Sequence, residues 1–214
     1  MKKIFAAMPL ILTIIGGGLI LFFAGRLIWQ LPDIPRQVIA GATLLLYFYW
    51  LRWESHISVG ELKKSTEHKD YHTMELAAVA KLTTLGAAFL GGTVVHLYLA
   101  LPGIAVMWWG IRLRQYAVIA LGNQYSHRLR IPEQGIIEEG PYNSIRHPAY
   151  LGTFIAHIGF VMVYFNKWSV LSVFILWGAA VLIRTILEDR MLMELPEYRL
   201  YAQRVKYKLF RSIW

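Results

Sequence analysis

The sequence predicts an all-α fold, a polytopic membrane helix bundle of about six transmembrane helices with a C-terminal amphipathic surface helix. Three observations carry this. Long apolar runs recur along the chain, turn formers or polar stretches separate them, and the basic residues fall almost wholly on one side. Of the 214 residues, 57% are hydrophobic and 16% charged, where an ordinary soluble domain carries about a quarter charged residues.

The first apolar segment, Pro9 to Trp29, follows Lys2 and Lys3. A cleaved signal peptide is the rival reading, but the run is long, no small-x-small cleavage site precedes Arg26, and further spans follow. Leu31-Pro32-Asp33-Ile34-Pro35 makes a tight turn, because two prolines are unfavourable inside a helix. A second span runs from Gln37 to Trp53, and a polar stretch from Glu54 to Glu75 follows. A third covers Leu76 to Leu101, with Pro102-Gly103 as its break. The fourth, Ile104 toward Leu121, carries Arg112 and Arg114. After a polar loop to Pro148, two spans, Ala149 to Tyr164 and Trp168 to Ile186, are joined by Asn166-Lys167, and a basic, aromatic tail closes the chain.

With the N-terminus inside, 19 of the 22 Lys and Arg are cytoplasmic; Arg26, Arg36 and Lys167 are the three outside. That bias follows the positive-inside rule and accounts for the net charge of +9 without nucleic acid as a partner. Membrane lipids are the expected neighbours, and chemistry is expected at the cytoplasmic face. The absence of cysteine excludes disulfides, a thiolate nucleophile, zinc–thiolate sites and iron–sulfur clusters held by this chain. His68 and His72 have helical metal-ligand spacing, but the sequence offers no convincing third ligand, so no metal site is assigned.

The informative stretch begins near Arg112. Gly135 and Gly140-Pro141 mark turns, and Arg146-His147-Pro148 sits where the fifth span starts. Pro148 suits the first turn of a helix, which places Arg146 and His147 at a helix mouth whose amides favour anionic groups. Tyr150 and Gly152 lie one turn in, and Gly152 permits close approach of a ligand or a neighbouring helix. Further on, Arg184 and Glu188 are four apart, hence on one helical face, with Asp189 beside them. Ionisable groups at the end of so apolar a span are costly unless paired or facing a polar cavity. Each of these groups also has a structural reading: a snorkelling arginine, a capping histidine, an ion pair ending a span, or the interfacial tyrosines Tyr198 and Tyr201.

Taken together, Gly140, Pro141, Tyr142, Arg146, His147, Pro148, Tyr150 and Gly152 form G-P-Y-x(3)-R-H-P-x-Y-x-G. With Arg184, Glu188 and Asp189, then Glu197 to Tyr201, and the earlier Leu113 to Gly122, the pattern resembles the isoprenylcysteine carboxyl methyltransferase family, which includes phospholipid methyltransferase-like enzymes. The likeness runs from about Ile111 to the C-terminus. It implies residues 102–214 as a catalytic core behind less informative N-terminal segments, 1–101. It also implies S-adenosylmethionine as cofactor and a lipid-like or prenylated methyl acceptor, with a carboxylate favoured over an amine or thiol.

Under that resemblance, Arg184 and Glu188 are catalytic candidates. Gly140, Tyr142, Arg146, His147, Pro148, Tyr150, Gly152, Glu188 and Asp189 are candidates for cofactor binding, with Arg146 and His147 on the carboxylate and an acidic residue on the ammonium or ribose. Arg114, Tyr198 and Tyr201 are candidates for the acceptor. The family usually has Glu-Glu where this chain has Glu188-Asp189. The location implied is a bacterial or archaeal cell membrane, or the endoplasmic reticulum of a eukaryote. The alternatives are an NADPH-dependent membrane sterol-type reductase, whose similar turn is followed by a tryptophan- and cysteine-containing helix, and a non-catalytic membrane protein.

Overall fold

The computed structural model describes residues 18–61, 72–127, 129, 131–132 and 135–214. Seven helices carry the described chain: α1 (Gly18–Gln30), α2 (Ile34–Glu61), α3 (Thr73–Leu90), α4 (Leu97–Leu121), α5 (Pro148–Val163), α6 (Lys167–Leu192) and α7 (Pro196–Arg204). One stretch of α6, Ser172–Trp177, is a π-helix. The fold is all-α, as the apolar runs lead one to expect.

Large apolar side chains cover the outer surface of the bundle, among them Trp29, Leu45, Tyr98 and Ile119. Water would penalise so much exposed apolar area, whereas lipid does not. Two described helices, Thr73–Leu90 and Lys167–Leu192, are long and apolar enough to cross a membrane by themselves. The expected six are not reached on that measure. α1 and α5 are apolar but short, and α2 and α4 carry arginines and interfacial aromatics that lower their mean hydropathy. The architecture established is a membrane-helix bundle.

The expected break at Pro102-Gly103 is corrected. α3 stops at Leu90, where Gly91 and Gly92 (φ +72°) reverse the chain, and Pro102 lies within α4. Gly91 is required there, since a Cβ would come within 2.6 Å of the Asn166 side-chain oxygen. Asn166 caps α6 by accepting from the amides of Trp168 and Ser169, each at 2.9 Å. It also donates to the Ala87 carbonyl at 2.8 Å, so one side chain ties two turns together.

α4 and α5 are packed backbone to backbone. A Cβ on Gly110 would lie 2.4 Å from the Ala156 nitrogen. One on Gly152 would lie 2.6 Å from the Arg114 nitrogen, and one on Gly159 2.3 Å from the Met107 nitrogen. Small residues let helices close in this way where lipid supplies no hydrophobic drive. The antiparallel pair sets Arg114, near the end of α4, beside Ala149 at the start of α5.

The polar stretch that starts at Glu54 begins inside a helix. α2 continues to Glu61, and Glu54 is buried, 9% exposed, because it meets Arg114. His68 lies outside the described residues; His72 is exposed, with its Nδ1 3.9 Å from Glu75.

Candidate active site

Arg146 and His147 are presented by the chain just before α5, with Pro148 at the first helical position. Their backbone amides donate to the carbonyls of Tyr207 and Lys208 at 2.9 and 2.8 Å, so the tail that follows α7 is stitched to this turn. α6 runs antiparallel to α5 and brings Glu188 and Asp189 to the same end of the bundle. The arginine–histidine turn and the acidic pair are in direct contact.

The Arg146 guanidinium grips Asp189 with two parallel bonds, Nε to Oδ1 at 3.0 Å and Nη2 to Oδ2 at 3.2 Å. Its Nη1 donates to the Val205 and Lys206 carbonyls at 3.1 and 3.4 Å. Four of its five N–H groups are thus engaged within the protein. Asp189 also accepts from Tyr198 Oη at 2.9 Å and faces Lys208 Nζ at 3.3 Å. Both partners of this pair are buried.

His147 sits between the two carboxylates, Nε2 3.3 Å from Asp189 Oδ1 and Nδ1 3.5 Å from Glu188 Oε2. Burial pulls its imidazole toward neutrality, and the hydrogen bonds and charges of Asp189 and Glu188 outweigh that, so its pKa is raised. The Tyr150 ring stacks on His147, centroids 5.9 Å apart. Glu188 faces His147 across that 3.5 Å, beside Tyr150, and stands in the field of Arg184. Its side chain keeps 25% of its surface exposed, while that of Asp189 keeps 6%.

Arg184 lies over the face of Tyr150, 5.5 Å from the ring centroid. Its Nη1 donates to Thr73 Oγ1 at 2.8 Å and its Nη2 to the His127 carbonyl at 2.5 Å. Beyond His127 stands a second buried ionic cluster. Glu54 receives Arg114 Nε at 2.6 Å, Arg114 Nη2 at 2.9 Å and the Trp50 indole N–H at 2.9 Å. Arg114 also reaches Tyr125 Oη at 2.5 Å and the Ala149 carbonyl at 3.4 Å. Tyr125 Oη is 3.1 Å from His127 Nδ1. Burial, against the attraction of Glu54, lowers the His127 pKa to about 4.

Between the clusters lies Tyr142, in the short 3-10 turn Gly140–Asn143, 6% exposed. Burial first, then the charge of Glu188, raises its phenol pKa. Gly140 has φ +59°, a conformation that favours glycine, and its Cβ position is open except for Ala120 at 3.8 Å. Of the expected site residues, Arg146, His147, Tyr150, Arg184, Glu188, Asp189 and Tyr198 form one contact network. Tyr198 and Tyr201 are buried, not interfacial: Tyr201 donates to the Tyr142 carbonyl at 2.6 Å. Gly152 faces the backbone of α4, the helix-packing alternative of the two expected for it.

Sequence reasoning missed Glu54, Tyr125 and His127. The available signal was Glu54 itself, a carboxylate one turn after Trp50 at the end of an apolar run.

A model of the isoprenylcysteine carboxyl methyltransferase family matches residues 103–194. The match ends before α7, so Tyr198 and Tyr201 lie beyond it. Protein-S-isoprenylcysteine O-methyltransferase B of Arabidopsis thaliana is 27% identical over 122 residues, covering 55% of this chain and 62% of the relative. The chain thus spans less than two thirds of that relative's length. The segment that holds the arginine–histidine turn and the Glu188–Asp189 pair is thus similar to the isoprenylcysteine carboxyl methyltransferase family.

Proposed function

We propose that the chain is an integral membrane S-adenosylmethionine-dependent methyltransferase acting on a lipid-like or prenylated acceptor, with carboxylate O-methylation as its reaction. The observation that carries this reading is the division between adjacent carboxylates. Asp189 is consumed by Arg146, Tyr198 and Lys208, whereas Glu188 keeps an exposed edge beside His147 and Tyr150.

The donor set fits the cofactor. Glu188 would take the ammonium or a ribose hydroxyl, and Tyr142 and Tyr150 offer rings to the adenine or the sulfonium. Arg146, already on Asp189, serves chiefly to fix the acidic pair and the tail, and the cofactor carboxylate falls to His147 and the neighbouring turn. Bound S-adenosylmethionine supplies an activated methyl group. Arg184, held in place by Thr73 and the His127 carbonyl, is aimed to orient an anionic acceptor.

The two carboxylates beside His147 raise its pKa, which disfavours the neutral form that a base must present. An amine acceptor needs a proton removed and a carboxylate does not, so the arrangement favours the carboxylate. The protein's residues then act by alignment and by excluding water. In this reading six helices span the membrane, residues 102–214 form the catalytic core, and the site faces the cytoplasm, as the basic bias suggests. Segments 1–101 lend it Glu54 and Thr73.

Calorimetric titration of the detergent-solubilised protein with S-adenosylmethionine, S-adenosylhomocysteine and NADPH tests the reading. The first two are expected to bind and the third not. Glu188→Ala should lose that binding at an unchanged melting temperature. Binding of NADPH alone would replace the methyltransferase reading with the reductase one. Mass spectrometry of lipids and prenyl-peptides incubated with labelled cofactor would then identify the acceptor.

A further inference from the structure

α3 is one of the two helices that meet the requirement for crossing a membrane, yet Lys81 stands within it, eight residues past Thr73. A cation at such depth is costly without a partner. Its ammonium lies over two ring faces, 5.8 Å from the centroid of Tyr47 and 5.2 Å from that of Trp50. Among the described residues, no hydrogen bond or salt bridge reaches it. Glu54, the carboxylate whose charge acts on it, is already engaged by two nitrogens of Arg114 and by Trp50. Two cations therefore face one carboxylate.

A second unmatched donor stands in the same interior. Trp177, 6% exposed, ends the π-helical stretch of α6, and its Nε1 has no hydrogen-bond partner among the described residues. His157 links the two, its ring 5.4 Å from Trp50 and 4.8 Å from Trp177. The nitrogens of His157 are engaged with the Thr153 carbonyl at 2.8 Å and Tyr47 Oη at 3.5 Å. Thr84, three residues past Lys81, is 2.9 Å from Ser172 and fixes α3 against the π-helical stretch. π-helical turns recur at functional sites, because the extra residue leaves a local irregularity in the helix.

An unmatched cation and an unmatched N–H, both donors, thus share an interior walled by Tyr47, Trp50, His157 and Trp177. What complements them is an oxygen anion on an apolar body. We propose that Lys81 and the Trp177 N–H form an acceptor subsite inside the bundle, which takes a carboxylate or phosphate oxygen of an amphiphile whose chain lies against these rings. Only the identification of that amphiphile with the methyl acceptor rests on the methyltransferase reading.

The test uses the full chain in neutral-lipid nanodiscs. Twelve-carbon probes brominated on the chain, ending in a carboxylate, a phosphate or an alcohol, are titrated by quenching of tryptophan fluorescence. The wild type is expected to prefer one of the anionic probes over the alcohol by about tenfold or more, the scale of a charge-assisted bond. The favoured anion decides between carboxylate and phosphate. Lys81→Met should bring that preference close to unity and Lys81→Arg should keep it, with S-adenosylhomocysteine affinity the same in both. Trp177→Phe should weaken the preference several-fold.

Equal binding of the three probes to the wild type, or an undiminished preference in Lys81→Met, overturns the proposal. Should Lys81→Met not fold, an unchanged preference in Trp177→Phe overturns it instead. An anion preference without S-adenosylhomocysteine binding would sink the methyltransferase reading and leave the subsite standing.

Discussion

Arg146 and Asp189, 43 residues apart in the chain, meet as a planar fork on a planar carboxylate, with bonds of 3.0 and 3.2 Å and almost no solvent. Removing one side of such a pair leaves the other charge buried and uncompensated. Asp189→Ala should cost about 3 kcal/mol or more of stability, read as a lowered melting temperature in detergent. Glu188→Gln, on the more exposed neighbour, should leave that temperature nearly unchanged while weakening cofactor binding. Equal losses of stability in the two variants would remove the distinction between the carboxylates.

His147 and His127 should respond to pH in opposite directions. The pKa of His147 is raised in the folded protein. Its contribution to stability is therefore complete below its ordinary value of about 6.5 and is lost as the pH climbs through the raised one. The pKa of His127 is lowered to about 4. The unfolded chain then binds the extra proton first, and stability is lost as the pH falls from about 6.5 toward that value. Melting curves across pH should show both limbs, with His147→Gln flattening the upper one and His127→Asn the lower. A variant that flattens the other limb would reverse the assignment.

Gly152 has no room for a methyl group, with the Arg114 nitrogen 2.6 Å from its Cβ position. Gly152→Ala should destabilise by about 1–3 kcal/mol, the usual cost of overpacking. Gly86, whose Cβ position is open, is the control: Gly86→Ala should be neutral or slightly stabilising. Thermal melts of the two variants side by side check the contrast.

Glu54 and Arg114 should be coupled energetically across the boundary of the family match. Glu54→Gln should cost about 3 kcal/mol, since it strands a buried guanidinium. Adding Arg114→Met should restore part of that loss. A double-mutant cycle on melting free energies gives the interaction, and additive effects would show that the contact contributes nothing.

The helices and the core of the site were legible because both obey local rules. Apolar run length marked the bundle, Pro148 marked the start of α5, and the four-residue spacing of Arg184 and Glu188 fixed their shared face. The terminus of α3 was misplaced because a proline is a louder signal than two glycines, although Pro102 is accommodated within α4. The burial of Tyr198 and Tyr201 was invisible because an amphipathic pattern does not say whether the apolar face meets lipid or protein. Glu54 and Lys81 escaped for a related reason. Their partners, Arg114 and the rings of Tyr47 and Trp50, are brought to them by packing, and no spacing within one helix encodes that meeting.

The glycine contacts between α4 and α5 have a mechanical consequence. With backbones touching at Gly110, Gly152 and Gly159, no layer of side chains remains that could slide or repack, so the two helices move as one beam. On the proposed function, an amphiphile arriving sideways from the bilayer would therefore part other seams. The joints that α2 and α3 make with the rest of the bundle are filled by side chains, so any repacking falls to them, and stapling those, not the beam, is what should block it.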